Sequence, residues 1–436
     1  MFLERKPIFW YVKDHFQVEN KTLIMNTEKH WLKQIPLIIW MTGIVSLLTN
    51  MSSIMIFSLW PLYITHVFGL TVFHLGILEG LIEFSSWFTR VISGIASDML
   101  RKRKPILTFA YSLIMITRPI FALAPSIGWV YGARILDRIS NGLQATPREA
   151  LVGDNAPKHL KGACFGLRQS LGVAGSILGA AGIMYLMRST EGDYRTIFWY
   201  ASIPTVIALF TITVFLRDPL TNPKNKVQEN VEPIPLLVRA KKLFDLNFQF
   251  WTIVIVAGVF TLSNYSGVYR ILQAERIGIP LADISLIMVV QNLGAMLAGL
   301  PIGRLSDSFD RRIFLKIGFA VTILSNFCFS SSNPLLFITG AGLWGVQMGI
   351  TQSILLTMVA DTTQKSLRGT AFGIYYFINA LALFASNSLT GWLFEVHGSL
   401  SAFLTSASLA GVGLLLVPLI QARPKKVSGL EVSEKA

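Results

Sequence analysis

The chain has 436 residues, of which 52% are hydrophobic and only 14% are charged, and its mean hydropathy of +0.55 excludes an ordinary soluble globular protein. A formal net charge of +14 suggests nucleic-acid binding at first sight, but the positions of the charges give another explanation. A helix needs roughly 20 apolar residues to cross a hydrocarbon core of about 30 Å. The composition therefore predicts a helical membrane protein with many spans.

Apolar stretches long enough to span a membrane recur along the whole chain. Backbone polar groups must be satisfied inside lipid, and the ten-residue alternation of a membrane β-barrel is missing from the sequence, so helices are predicted. The predicted fold is an all-α bundle of twelve transmembrane helices, at residues 36–62, 73–97, 106–124, 127–147, 163–186, 197–216, 249–271, 282–303, 314–331, 334–360, 371–394 and 401–420.

The basic residues are distributed unequally between the two sides that this topology defines. Most of the 38 Lys and Arg lie in the termini and in alternate loops, including RKRK at 101–104, whereas Arg188, Arg195 and Arg276 lie on the other side. This asymmetry follows the positive-inside rule and predicts that both termini face the cytoplasm. It also accounts for the net charge without nucleic acid. Residues 1–35 lack the features of a signal peptide, so an uncleaved first helix is predicted.

Two segments of the first half are repeated in the second half. GIASDMLRKR from Gly94 corresponds to GRLSDSFDRR from Gly303, and DNAPKHLKGACFG from Asp154 corresponds to DTTQKSLRGTAFG from Asp361. Such parallel repeats suit rocking-bundle alternating access. The predicted organisation is an N-terminal extension at 1–35, a six-helix bundle at 36–216, a polar cytoplasmic linker at 217–247, a second six-helix bundle at 248–420 and a cytoplasmic tail at 421–436.

These segments also carry a family resemblance. GxxSDxxxRK after the second helix, with its repeat after the eighth, resembles the loop signature of the major facilitator superfamily. ARILDRISNGLQATPREAL at 133–151 resembles the DRxGKGIRxxPRDAL signature of a bacterial subgroup described mostly as efflux or siderophore-related carriers, and segments 166–172 and 367–373 resemble others of its segments. The resemblance covers about residues 36–420. It implies a secondary transporter that acts as a monomer without a cofactor.

The resemblance also implies a conformational gate. In the family, the loop aspartate contacts the positive N-terminus of a helix in the other half, which here predicts contacts from Asp98 to the helix end near Gly369 and from Asp307 to the end near Gly162. The alternative is that both aspartates are solvated loop charges. The gate residues predicted in this way are Gly94, Asp98, Arg103, Gly162, Gly303, Asp307, Arg312, Arg368 and Gly369.

Ionisable residues inside the predicted helices define a candidate substrate and coupling cavity, because such residues are costly in a membrane. Glu79, Glu83 and Arg90 share one helix face, and Arg138 resembles the arginine of the family's RxxxG motif. Arg134 and Asp137 could merely pair to fix their helix. Arg118, Arg168 and Arg270 are expected to be unpaired, although Arg270 could reach the outer surface instead. The predicted cavity residues are Glu79, Glu83, Arg90, Arg118, Arg134, Asp137, Arg138, Arg168, Gln169, Arg270 and Gln352.

Several acids typical of the subgroup are replaced in this chain. Other residues stand at their positions, namely Asn50, Ile54, Gly172, Gly267 and Gln352. The six cavity arginines then have only three acids near them, Glu79, Glu83 and Asp137. Buried positive charge without a balancing acid favours binding of an anionic ligand. The predicted substrate is therefore a small anion, such as a carboxylate, a phosphorylated metabolite or a polycarboxylate siderophore.

Proton coupling and two other functions remain open. Mutual repulsion of Glu79 and Glu83 would favour proton binding, unless each glutamate pairs with an arginine such as Arg90 or Arg118. A drug efflux antiporter is an alternative, supported by a glycine stripe in the fifth helix but weakened by Ala180 where that motif has proline. A non-transporting receptor is another.

No HExxH, GxSxG or P-loop motif occurs, so neither an enzyme nor a metal site is predicted. Cys164 and Cys328 are expected to be unbonded core residues.

Overall fold

The computed structural model describes residues 34–100, 103–157, 160–216, 247–363 and 368–421. The side chains of residues 91, 94–100, 161, 162, 300, 303, 304, 307, 308, 353, 360 and 368–370 lie outside this description. The described residues form twelve spanning helical elements in two six-helix halves, which confirms the predicted fold. Within this part of the chain, nine of the elements meet a strict length and hydropathy standard for membrane spans.

The helices lie at the predicted stretches, but the fourth helix is longer than predicted and three of the spans contain breaks. The N-terminal half contains α1a Leu37–Phe57, α1b Trp60–Phe68, α2 Val72–Leu100, α3 Lys104–Leu123, α4 Ile127–Asn155, α5 Lys161–Ser189, α6a Tyr194–Tyr200 and α6b Ser202–Phe215. The C-terminal half contains α7a Phe248–Leu262, α7b Gly267–Arg276, α8 Ser285–Ser308, α9 Arg311–Phe329, α10 Pro334–Asp361, α11 Arg368–Val396 and α12 Gly398–Leu416, followed by a 3-10 turn at Val417–Leu419.

The first helix of each half is interrupted, which the apolar pattern did not reveal. The break in α1 lies at Ser58 and Leu59, just before a proline in the first turn of α1b. The break in α7 lies between Ser263 and Ser266, and the Ser266 hydroxyl caps α7b by accepting a hydrogen bond from the Val268 amide at 3.4 Å. Two short segments, α1b and α7b, therefore stand at matching places and contact each other.

Glycines set the closest helix contacts within each half. A Cβ atom on Gly175 or Gly179 of α5 would overlap the carbonyl oxygen of Leu47 or Met51 in α1a, so only glycine allows these helices to pack. In the other half, Gly345 of α10 lies equally close to the backbone of α8. The stripe predicted in the fifth helix thus has a packing role, although Gly182 borders open space.

The chain order fixes two sides of the bundle. We call the side that holds the start of α1a, Arg103 and Arg311 the basic side, and the side reached by α1b and α7b the opposite side. Helix α4 continues past the predicted end at residue 147 to Asn155, in spite of Pro147, so Arg148, Glu149 and Asp154 lie on the helix near the basic side. Cys164 and Cys328 are buried and unbonded, as predicted.

The two halves meet near the opposite side. The His66 imidazole of α1b lies 2.7 Å from the Glu275 carboxylate of α7b, and the Phe73 amide donates to Glu395 at 2.6 Å. Arg188 of α5 pairs with Asp283 before α8 at 3.2 Å. Between α2 and α11, Gly76 packs against Gly391 so closely that added Cβ atoms would lie 3.0 Å from the facing Cα atoms. This conformation is therefore closed at the opposite side.

Candidate functional site

A buried ion pair joins α3 to α4 at the centre of the N-terminal half. Arg118 donates to Asp137 at 2.7 Å, and only 0% and 3% of the two side chains are exposed. The same guanidinium donates to the hydroxyls of Ser52 at 2.8 Å and Ser53 at 3.2 Å in α1a. The expectation that Arg118 is unpaired is wrong, because the fold brings a carboxylate and several hydroxyls from two other helices around it.

Arg134 connects this pair to α2. Its guanidinium lies 3.5 Å from Asp137 and 3.7 Å from Glu79, and it stacks over the rings of Phe57 at 4.9 Å and Trp60 at 5.3 Å. The pairing of Arg134 with Asp137 proposed from the sequence is present, but Arg134 also reaches a second carboxylate. It is therefore part of a network rather than an isolated brace within α4.

Glu79 carries the network across to the C-terminal half. This fully buried carboxylate accepts hydrogen bonds from the Trp60 indole at 3.1 Å and from the Ser266 hydroxyl at 2.5 Å. Ser266 lies at the break in α7, so the network ends on the N-terminus of α7b. A carboxylate at that helix end is favourable because the helix dipole is positive there.

Glu83 and Arg138 form a looser pair one turn nearer the basic side. Their closest atoms are 3.9 Å apart, and about a fifth of each side chain is exposed, 23% and 21% respectively. Each glutamate of α2 therefore faces its own arginine. The partners are Arg134 and Arg138, not Arg90 or Arg118, because α4 rather than α3 lies against this face of α2. Three arginines and three acids balance one another in this network.

A second cluster, toward the basic side, is more basic. Arg168 of α5 lies 2.8 Å from Glu149 of α4, which also lies 3.7 Å from Arg148. Arg90 of α2 stacks over Trp87 at 5.2 Å, and Glu83, Arg138 and Arg148 are all close enough to act on it electrostatically. The expectation that Arg168 is unpaired is wrong. Sequence analysis missed Arg148 and Glu149 because it ended helix α4 at residue 147, although the segment PREAL contains both.

Arg270 lies in the first turn of α7b and is 2% exposed. Burial excludes the alternative in which this residue reaches the outer surface. Its guanidinium donates to the Gln291 side chain at 3.1 Å and lies over the rings of Trp344 at 4.5 Å, Tyr265 at 5.5 Å and Phe329 at 5.7 Å. Nε and Nη1 are buried without a hydrogen-bond partner among the described residues.

The positions where subgroup acids are replaced take part mostly in packing. Asn50 donates to the Gly172 carbonyl at 3.0 Å, Ile54 belongs to the core, and a Cβ on Gly267 would lie 3.0 Å from the Phe57 ring. Gln169 is exposed and accepts from Arg168 at 3.4 Å, and Gln352 is also exposed.

The predicted gate is described only in part. The side chains of Gly94, Asp98, Gly162, Gly303, Asp307, Arg368 and Gly369 lie outside the described residues. Arg103 forms an ion pair with Asp154 at 2.6 Å, and in the second half Arg311, next to the repeat position of Arg103, pairs with Asp361, the repeat of Asp154. Arg312, at the repeat position of Arg103, binds Asp310 at 2.6 Å and the Ile420 carbonyl at 3.2 Å within its own half, and its role in the gate stays a prediction. No cluster of three metal-ligating side chains occurs among the described residues.

Two parallel six-helix halves, broken first helices and a charged network in the membrane core define a polytopic membrane transporter. The chain belongs to the Major Facilitator Superfamily, whose family model matches residues 42–278 and 260–436. It is 28% identical to an uncharacterized transporter of this superfamily from Methanocaldococcus jannaschii, over 87% of this chain and 94% of the relative. It is 23% identical to the gentisate transporter of Corynebacterium glutamicum, over 80% of each chain.

A solved structure shows the same fold. The structure of a POT family transporter in complex with a thioalcohol-conjugated peptide matches with a TM-score of 0.73, at 12% identity, over 87% of this chain and 95% of that chain. At this level of sequence identity the match shows only that the two proteins share a fold.

Proposed function

We propose that this transporter moves small organic anions by alternating access across a bacterial cytoplasmic membrane. The basic side faces the cytoplasm in this proposal, as the positive-inside rule requires, so both termini are cytoplasmic. Phosphorylated metabolites and polycarboxylate siderophores fall within the same class of substrate. The protein works as a monomer, and protons are the candidate coupling ions.

The observation that carries the proposal is the excess of arginine near the basic side. Four partly exposed arginines, Arg90, Arg138, Arg148 and Arg168, accompany only Glu83 and Glu149 in this part of the described chain. In the rest of the central network, Arg118 and Arg134 face Glu79 and Asp137, so that part is balanced and offers no net charge to a ligand. Charges of one sign in a low-dielectric cleft attract ions of the other sign. An organic anion would supply the missing negative charge.

Alternating access is supported by where the halves touch. Contacts between α1b and α7b, between α2 and α11 and between α5 and α8 close the opposite side, while the arginine cluster lies toward the basic side. Opening the opposite side would require these contacts to separate. The name of the Corynebacterium glutamicum relative gives independent support for the substrate class, because gentisate is a carboxylate.

Coupling to protons would involve Glu79 and Glu83. Electrostatic repulsion between the two carboxylates does not support proton binding in this structure, because each carboxylate lies beside its own arginine. Glu83 is the better candidate, since it is partly exposed and 3.9 Å from Arg138, whereas Glu79 is fully buried with two hydrogen-bond donors. Uptake driven by an imposed pH gradient, compared between wild type, Glu83→Gln and Glu79→Gln, would test the assignment.

The test of substrate charge is uptake into proteoliposomes. We expect uptake of labelled gentisate or benzoate and none of tetraphenylphosphonium, a permanent cation. Glu149→Gln removes an acid beside Arg148 and Arg168, so KM for the anion should fall by about 2- to 10-fold, as for loss of one nearby like charge in a partly wet site. Glu191→Gln, in the loop on the opposite side, is the matched control. Transport of the cation, with no transport of any anion, would overturn the proposal in favour of drug efflux.

A further inference from the structure

Arg270 differs from the other buried arginines of the described chain. Arg118 and Arg134 lie within 4 Å of carboxylates in the central network, and Arg311 pairs with Asp361. Arg270 has no carboxylate at that distance in the described part of the structure, and the side chains that accept hydrogen bonds from it there are neutral, namely the Gln291 amide at 3.1 Å and the Tyr265 hydroxyl. Among the described residues, no anionic side chain therefore lies close enough to pair with this buried positive charge.

The surroundings compensate this charge incompletely. Stacking over aromatic rings stabilises a desolvated guanidinium, but by less than the effective penalty for burying an unpaired ion. Two of the guanidinium nitrogens, Nε and Nη1, also lack hydrogen-bond partners. A ligand carboxylate could accept from such nitrogens in the paired geometry that guanidinium favours.

The helix break places Arg270 at a second source of positive potential. Arg270 lies in the first turn of α7b, whose N-terminus is at the break in the middle of the bundle. Gly267 leaves room beside the guanidinium, since an added Cβ would lie only 3.3 Å from Nη2. Broken helices in transporters present such ends to anionic groups. Here the Glu79 carboxylate already lies at one side of this helix end, where it accepts a hydrogen bond from the Ser266 hydroxyl.

We propose that Arg270 binds the carboxylate of the transported substrate, and that the substrate carries this carboxylate on an aromatic or otherwise apolar body. This inference rests on the proposed function and assigns its binding residue and substrate chemistry. The apolar body is indicated by the walls, because Tyr265, Trp344, Phe329 and Met288 surround the guanidinium and its helix turn. Arg270 is 2% exposed in the conformation described. Access to it requires α7b to move away from α1b as the opposite side opens.

The experiment compares benzoate with benzamide, which has the same shape without the charge, as ligands of the purified full-length protein. Binding is measured by calorimetry and by the shift in thermal unfolding. We expect benzoate to bind wild type and benzamide not to bind. Arg270→Gln should raise the Kd of benzoate by at least about 30-fold, corresponding to about 2 kcal/mol for loss of a buried charged partner. Arg195→Gln, at an exposed arginine on the opposite side whose guanidinium contacts the Ala124 carbonyl of its own half, should leave the Kd unchanged.

A second readout separates binding from a structural role. If Arg270 serves the ligand, Arg270→Gln without ligand should unfold at the same temperature as wild type or higher, because an unbalanced buried charge is gone. A lower unfolding temperature together with an unchanged Kd would overturn the inference. Arg270→Lys keeps the positive charge but loses the planar guanidinium group. This variant should still prefer benzoate to benzamide, and its affinity for benzoate should be roughly 10-fold lower than that of wild type. Wild-type affinity in Arg270→Lys would also overturn it.

The inference and the proposed function can fail separately. If wild type transports organic anions and Arg270→Gln transports them with unchanged KM, the assignment of Arg270 is wrong and the substrate class stands. If wild type neither binds nor transports any anion, the proposed function fails as well.

Discussion

The hydroxyl of Ser266 donates a hydrogen bond of 2.5 Å to the carboxylate of Glu79, and this bond joins the two halves of the transporter at the centre of the bundle. Glu79 belongs to the charged network of the N-terminal half through Arg134, and Ser266 begins α7b in the C-terminal half. A rearrangement that separates the halves on the opposite side must break this bond. The network and the closed state are thus linked by one contact.

Ser266→Ala should shift the carrier toward the state that is open on the opposite side. A hydrogen bond to a charged group contributes about 1.5–3 kcal/mol, and transporter states often differ by only a few kcal/mol. The readout is the labelling rate of a cysteine placed at Leu272, which is 4% exposed in α7b, by a membrane-impermeant thiol reagent. We expect labelling to become roughly 10-fold faster. Ser263→Ala is the control, since that hydroxyl bonds only to the Phe260 carbonyl of its own helix. Equal rates in both variants would contradict the prediction.

Gly76→Ala should prevent close packing of α2 against α11. A Cβ at this position would lie 2.8 Å from the Asn387 carbonyl oxygen and 3.0 Å from the Gly391 Cα, both of which are backbone atoms. Overpacking of this kind costs about 1–3 kcal/mol, and here only the closed state bears the cost. Transport in proteoliposomes should fall while the yield of folded protein is retained. Gly182→Ala, at a glycine of α5 with open space around it, should transport normally. Full activity of Gly76→Ala would show that the contact is dispensable.

Removal of one member of the Arg118–Asp137 pair should destabilise the fold more than removal of both. Asp137→Asn leaves the buried Arg118 without a carboxylate, at a cost of about 3–5 kcal/mol, and Arg118→Gln leaves Asp137 with only the longer contact to Arg134 at 3.5 Å. The double variant Arg118→Gln/Asp137→Asn should recover a large part of the lost unfolding temperature in detergent. Arg188→Gln, whose partner Asp283 is partly exposed, should change the stability by less than about 1 kcal/mol. Additive losses in the double variant would show that the two residues act independently.

Asp310 should make the stability of the basic side depend on acid pH. Hydrogen bonds from the Arg312 side chain hold the pKa of this carboxyl below its ordinary value, and the carboxylate also caps α9 by accepting from the Arg312 amide at 3.0 Å. Because the pKa is lowered on folding, the stabilisation is complete above the ordinary value of about 4 and is lost as the pH falls through the lowered pKa.

The test compares unfolding temperatures of wild type and Asp310→Asn between pH 7 and pH 3. Wild type should be more stable at neutral pH, and the difference should shrink below about pH 4. Glu191→Gln serves as the reference for general acid effects. A difference that persists unchanged at pH 3 would show that charge at Asp310 is unimportant and that only its capping geometry matters.

The helical architecture could be predicted from the sequence because the features that indicate it are local or periodic. The length of the apolar stretches, the loop charges and the repeats of Gly94 at Gly303 and Asp154 at Asp361 each report on a short segment. The membrane imposes helices on such segments, since lipid offers no other partner to the backbone. The residues of the central network were also recognisable one by one, because a charge inside an apolar stretch is conspicuous wherever its partner lies.

Tertiary structure alone decided which charges are balanced. Arg118 meets Asp137 because α3 packs against α4, and Arg168 meets Glu149 because α5 approaches the last turns of α4. Neither pair follows a helical spacing, so no pattern in one helix could predict it. The same packing leaves Arg270 among aromatic rings, with no acid of the described residues paired to it. The sequence determined that the core would be charged, and the arrangement of helices determined where that charge remains available to a ligand.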